Sequence, residues 1–424
     1  MHIIDLQLKK RQEQNKLINV GLIGIGEMGK GLLNQFQNYT PGMTVAAIYN
    51  RSIDKAVNAC KALGINDFVI ADSKEKFSAA NNIRNKIIIT NDVDLVIGMN
   101  DVDAIVEMTG NISFGLDTIL KSFDAKKNVV SFNAELEATL GPYLKKQAAI
   151  KGVKYTLGDG DQPGVTLNLW RHVKMMGFEP LVCGNIKGLQ DHYRNPTTQE
   201  SFAKQWDMTP EMVTSFADGT KISFEQACIA NATNMTIAKT GMIGPNEKKH
   251  VDELVESFGS VKELQELGGI VDYVVGAQPG PGVFVYATTK DPVSVKYLRY
   301  GKLGEGPLYS FYVPYHLLFF ELAFSIARLV DFDDITLDAE YGYKVEVIAV
   351  AKEDLKAGDK IDGLGGYKTY GICERSEIVS QEAYLPMGLA EGCVLRNNVQ
   401  KDQIINLNDV EYNQSEQKFT LYKS

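Results

Sequence analysis

Apolar residues in the first third of the chain come in short unbroken runs, set apart by polar turns and by stretches with helical spacing. Residues 18–23, 43–49, 86–89, 104–108, 128–132 and 153–157 each read as a strand buried on both faces, the pattern of a parallel sheet covered by helices. Between them, residues 53–63 set Ala56, Val57, Cys60 and Leu63 on one helical face before Gly64 stops the helix. Residues 94–97 read as a helix or turn, and 143–151 and 165–176 as helices. Residues 1–16 predict an extra helix packing on this part, and 72–85 an insertion with a helix of its own. Strands alternating with helices predict an α/β fold with a doubly wound parallel sheet.

The pattern changes near residue 160. A strand at 181–185 leads into a long polar connection through Lys187, His192, Arg194 and Pro196, followed by helices at 211–215 and 221–232. Strands are predicted at 283–288 and 309–312. The apolar helical run 317–330 is too short to span a bilayer and reads as a core or dimer helix. From Lys344 onward apolar and polar positions alternate, with turns at Gly358 and Gly363, which predicts a small all-β module.

Composition narrows the function. The 424 residues are 44% hydrophobic and 23% charged, as in soluble globular proteins, and too many for one core. A net charge of -9 argues against nucleic acid as the partner. Five scattered cysteines without CxxC spacing suit a reducing cytoplasm and no structural zinc. The charged N-terminus lacks a signal-peptide core and no run approaches a membrane span, so neither membrane nor secretion is expected.

Gly24-Ile25-Gly26-Glu27-Met28-Gly29 stands where the first strand should turn into a helix. There Gly24 would allow the tight turn, Gly26 the approach of a pyrophosphate, and Gly29 close packing of helix on strand, with free amides facing the anion. About 20 residues on, where a ribose reader belongs, stand Asn50, Arg51 and Ser52 and no acid. Arg51 favours the 2′-phosphate of NADP, which a guanidinium can bind in a fork, with a solvated loop arginine as the alternative. Thr109 and Gly110 end one strand and Asn133 another, leaving room for the nicotinamide side of a dinucleotide.

Read together, the glycine fingerprint, the EMTG strand end, the NAE loop, the GDGDQPG turn and GN followed by lysine are similar to the homoserine dehydrogenase superfamily. The blocks DGTKISFEQACIANATN, GGIVDYVVGAQPGPGVFV and GEGPLYSFYVPYHL, with the β module after Lys344, more closely resemble the deoxyxylulose phosphate reductoisomerase-like branch, with its C-terminal SAF-type β-clip. The resemblance implies a Rossmann-type domain over 1–160, a central α+β catalytic and dimerisation domain over 161–340, and a SAF-like β-clip over 341–424. It further implies a homodimeric, NADP(H)-dependent enzyme, with NAD(H) as the other cofactor, acting on a small polyhydroxylated phosphorylated or carboxylated substrate. The GDQPG turn and the NIKGLQDHYRNP connection depart from the family pattern and leave the substrate open.

Lys187 is the first candidate to stabilise or protonate a developing alkoxide. Asp159, Asp161 and Glu135 could accept a proton or hold Mg²⁺ or Mn²⁺, and equally could cap helices. Asn231 and His316 are further polar candidates, and Arg194 suits a planar anion. Three readings stay open: a reductoisomerase or related NADP-dependent oxidoreductase, a simple polyol or homoserine-type dehydrogenase, and a non-catalytic NADPH- or sugar-sensing protein.

Overall fold

The computed structural model describes residues 2–80 and 86–424. The chain folds as two compact units: one gathers the residues up to Leu136 with Tyr143–Asp161 and Leu317–Asp338, the other Glu137–Pro142, Gln162–His316 and Ala339–Ser424.

The fold is α/β. The first unit holds a parallel sheet of seven strands, β1 Ile18–Ile23, β2 Met43–Tyr49, β3 Phe68–Ile70, β4 Ile87–Thr90, β5 Ala104–Glu107, β6 Asn128–Ser131 and β7 Tyr155–Leu157. Their order is β3-β4-β2-β1-β5-β6-β7. The chain moves one way from β1 to β2 and returns on the other side at β5, so the strand order reverses between β1 and β5, where Ile23 pairs with Glu107. In open sheets of this kind, ligands bind outside the carboxyl ends at that switch point. β3 is a three-residue edge strand that the apolar pattern does not reveal. Of the insertion predicted over 72–85, the helix Lys74–Ala80 is present, and residues 81–85 lie outside the described residues.

One face of this sheet packs against Leu32, Leu33 and Phe36 of the helix Glu27–Asn38 and against Leu322, Ile326 and Leu329 of the helix Leu322–Asp331. The run read as one helix over 317–330 begins instead with a 3₁₀ turn, Leu318–Phe320, and it belongs to the first unit rather than the second. Its apolar face completes the sheet's core, each fully buried leucine or isoleucine contributing roughly 1.5–3 kcal/mol. The N-terminal helix His2–Glu13 joins the same core through Ile4 and Leu8, and Arg11 binds both oxygens of Asp331.

The second unit is built on four strands, β8 Glu179–Lys187, β9 Ile270–Val275, β10 Val283–Thr288 and β11 Leu308–Val313, in the order β11-β10-β8-β9. Val182, Ile186, Ile270, Val274, Phe284 and Tyr286 share a core with Phe258. By strand alternation the other face carries Cys183, Asn185 and Lys187. The helix Thr220–Thr233 is buried at every position except Lys221. The polar connection after Lys187 contains an unpredicted helix, Pro196–Gln205, started by an Asn195–Thr198 capping box. The C-terminal part pairs β12 Val345–Ala351 with β13 Thr369–Arg375. It also holds the helices Ser376–Glu382, Met387–Ala390 and Gln417–Leu421, and so is not the all-β module that alternation predicts.

Candidate functional site

In the first unit the fingerprint glycines occupy the conformations their spacing demands. Gly24 has φ +101°, a region open mainly to glycine. A Cβ at Gly29 would drive into the carbonyl oxygen of Gly24, whereas one at Gly26 would meet nothing within 4 Å. Gly26 is the N-cap of the helix Glu27–Asn38 and supplies no side-chain cap, so the first-turn amides are not claimed by a capping side chain. Open space in front of unclaimed amides, at the positive end of a helix dipole, fits a pyrophosphate. Glu27 and Met28 enter as the first residues of this helix, and Ile25 donates its amide to Asn50 Oδ1 at 3.3 Å.

Asn50 also donates to the Ser52 carbonyl at 2.8 Å, and Ser52 caps the helix Ile53–Ala62 through the Lys55 amide. Two of the three residues at the end of β2 are therefore committed to backbone. Arg51 is exposed, and no hydrogen bond or ion pair holds its guanidinium among the described residues. A free cation there suits a phosphate.

Thr109 is less available than its position suggests. Its amide donates to Glu107 Oε1 at 2.7 Å and its hydroxyl contacts the same oxygen, while its methyl lies against Gly24. Asn133 caps the helix Ala134–Lys151 and reaches Glu107 Oε2 at 3.4 Å. Glu107 is fully buried; burial pushes its carboxyl above the usual carboxylate range, and bonds from Thr109 and Asn133 pull it back. Gly110, at φ +68°, completes the turn.

Asp159 does not join a carboxylate cluster. Arg328 lies 3.2 Å from its Oδ2, Ser325 donates to the same oxygen at 2.9 Å, and Thr336 stands at 3.2 Å. The acid anticipated for proton transfer or metal binding is thus an anchor for the returning segment 317–338. Asp161 is buried just ahead of the helix Gln162–Met175, and Glu135 lies in the first turn of the helix Ala134–Lys151. Among the described residues no group of three or more His, Cys, Asp or Glu is placed to hold a metal, so the cation site anticipated from these three acids does not assemble.

In the second unit Lys187 ends β8 on the same face as Asn185, which donates to Glu225 at 3.3 Å and lies beside Tyr273 in register. Gln190 donates to the Tyr273 hydroxyl at 2.7 Å, and burial pushes that phenol's pKa up. Gly219, at φ +93°, leaves room for this loop: a Cβ there would come within 2.9 Å of Gln190 and 3.1 Å of His192. His192 Nδ1 lies 2.7 Å from the Asp218 carbonyl oxygen, and its ring stacks on Tyr370. A carbonyl only accepts, so Nδ1 carries the proton and Nε2 is the acceptor of the neutral ring. The buried Lys352 binds Asp218 at 2.8 Å and the Arg194 carbonyl at 2.8 Å, while Arg194 pairs with Asp191 at 3.1 Å.

Residues 160–322 match the family model described as oxidoreductase DRL, catalytic domain. That match marks the chain as an oxidoreductase. No curated protein is significantly similar in sequence. Solved structures similar to the chain include apo scyllo-inositol dehydrogenase from Lactobacillus casei, at 14% identity and TM-score 0.40 over 77% of this chain and 93% of that one. Myo-inositol dehydrogenase from the same organism, in complex with NAD(H) and myo-inositol, aligns at 16% and TM-score 0.39 over 69% and 74%. An NAD binding oxidoreductase from Klebsiella pneumoniae aligns at 14% and TM-score 0.32 over 42% of this chain, which spans 45% of that one.

The matched stretch contains Lys187, Arg194, Asn231 and His316. Asn231 is buried, and its Oδ1 accepts the amides of Lys344 and Val345 at the entry to β12. His316 closes the second unit after β11. Gln190, His192, Tyr273 and Glu107 escape sequence reasoning. The first three meet only once β8 and β9 pair, but Glu107 had a visible mark, as the one acid ending an otherwise apolar strand.

Proposed function

We propose that the chain is an NADP-dependent oxidoreductase whose first unit holds the dinucleotide and whose loop around 187–194 handles a small, polyhydroxylated, anionic substrate. Arg51 carries the cofactor preference: it is the one residue at the end of β2 left uncommitted, and no acid stands there to repel a 2′-phosphate. The dinucleotide, when bound, supplies or accepts a hydride. The chain's own groups would do the rest. Amides of the helix Glu27–Asn38 bind the pyrophosphate, Lys187 stabilises charge on a substrate oxygen, His192 Nε2 accepts a proton from a substrate hydroxyl or returns it, and Arg194 offers a cation to an anionic substituent. The reductoisomerase chemistry and homodimeric assembly implied by the sequence resemblance belong to this proposal as well.

The test is fluorescence titration with NADPH and NADH. Wild type should bind NADPH about tenfold or more tightly, as charge-assisted bonds to a phosphate allow, and Arg51→Ala should erase the difference. Equal affinities in wild type would overturn the NADP assignment. Thermal-shift screening of sugar phosphates, sugar acids and polyols with NADPH present then identifies the substrate class.

A further inference from the structure

We propose that Glu107 sets the relative affinity of the first unit for oxidised and reduced dinucleotide, an inference that rests on the dinucleotide reading. Glu107 ends β5 beside Ile23 of β1, at the point where the strand order reverses. It is the one acid in a strand otherwise made of buried Ala104, Ile105 and Val106, and none of its surface is exposed.

Burial pushes this carboxyl upward on balance, and the donors around it oppose that by favouring the carboxylate. The Thr109 amide at 2.7 Å, the Thr109 hydroxyl and the Asn133 side-chain amide at 3.4 Å converge on its two oxygens. Two of these are N–H groups that can only donate, so the group they suit is an acceptor on both oxygens, as the ionised carboxylate is. Space is reserved as well: at Gly115 of the helix Ile112–Asp124, a Cβ would lie 3.1 Å from Glu107 Oε2 and 3.2 Å from Asn133 Nδ2. The arrangement turns the Thr109 hydroxyl inward and its methyl toward Gly24, so Thr109 presents an apolar wall beside the fingerprint. The charge behind that wall then acts at a distance. Oxidised nicotinamide is a cation and reduced nicotinamide is neutral, so a fixed negative charge in low-dielectric surroundings favours the oxidised form. A mere brace between two strand ends would affect both forms alike.

The experiment measures, by calorimetry on the full chain, the affinities of NADP⁺, NADPH, NAD⁺ and NADH, with adenosine 2′,5′-bisphosphate as a probe lacking nicotinamide. Glu107→Gln should weaken the oxidised forms about tenfold relative to the reduced ones and leave the bisphosphate unchanged. Glu107→Asp keeps the charge on a shorter arm and should hold the wild-type ratio even where both affinities fall. It is also the informative variant should the glutamine protein not fold. Parallel losses for both redox forms, no change in Glu107→Gln, or a collapsed ratio in Glu107→Asp would each overturn the inference while leaving the dinucleotide reading in place. A wild-type chain that binds none of the four dinucleotides would overturn that reading, and the inference with it.

Discussion

Replacing Asp159 by alanine separates an anchoring role from a chemical one. The Asp159 side chain is 3% exposed and that of Arg328 10%, with 3.2 Å between the charged groups. The substitution removes the guanidinium's contact to Asp159 while that to Asp334, at 2.7 Å, stays, and it removes the acceptor shared by Ser325 and Thr336. Deleting one member of a buried pair costs roughly 3–5 kcal/mol. Because Asp334 stays and the two hydroxyls still contact each other at 2.9 Å, the lower end applies, about 3 kcal/mol. Urea unfolding followed by circular dichroism should show the midpoint of the first unit's transition falling by about 1 M, taking a slope near 3 kcal/mol/M. The double variant Asp159→Ala/Arg328→Met should recover much of the loss, since the buried charge goes with its partner. Asp159→Ala unfolding at the wild-type urea concentration would refute the anchoring account. Turnover lost at unchanged stability would return Asp159 to the chemistry expected from its glycine-rich turn.

Two further outcomes test other parts of the structure. Gly29→Ala pushes a methyl into the Gly24 carbonyl and toward Met108 Sδ, so it should cost roughly 1–3 kcal/mol of stability and weaken NADPH binding at least about tenfold; an unchanged dissociation constant would count against the fingerprint geometry. Burial raises the Asp272 carboxyl from 3.8 to about 6, against opposing bonds from the amides of Gly244, Ile243 and Tyr273. The fold therefore favours the neutral acid: the contribution is complete below about pH 4 and is lost as pH climbs through about 6, a change of about 3 kcal/mol. Urea midpoints at pH 4.5 and 7 should show this slope in wild type and not in Asp272→Asn.

The parts of the chain that were legible are those where local backbone dictates the residue. Gly24 needs a positive φ and Gly29 has no room for a side chain, so their spacing alone located the tight turn from β1 into the helix Glu27–Asn38. Arg51 was legible by its offset, yet only the bonds made by Asn50 and Ser52 single it out from its neighbours. The ion pair of Asp159 was not legible, because its partner Arg328 lies 169 residues away. The apolar run after Leu317 announced a buried helix, but periodicity specifies a face and not what it packs against. The cluster of Gln190, His192 and Tyr273 depends on pairing β8 with β9, strands separated by four α-helices and a 3₁₀ turn, and no local pattern encodes that pairing.

The chain leaves the first unit at Asp161 and re-enters it at Leu317. On a ribosome adding about 5–20 residues per second, the seven-stranded sheet would wait roughly ten to thirty seconds for Leu322, Ile326 and Leu329 to emerge and cover its open face. Throughout that interval the nascent chain displays an apolar surface that neighbouring molecules or chaperones can reach first. A gene fragment cut after residue 160 makes this condition permanent. Such a fragment should be insoluble, and supplying residues 317–338 in trans, as a peptide carrying Arg328, offers a direct way to complete it.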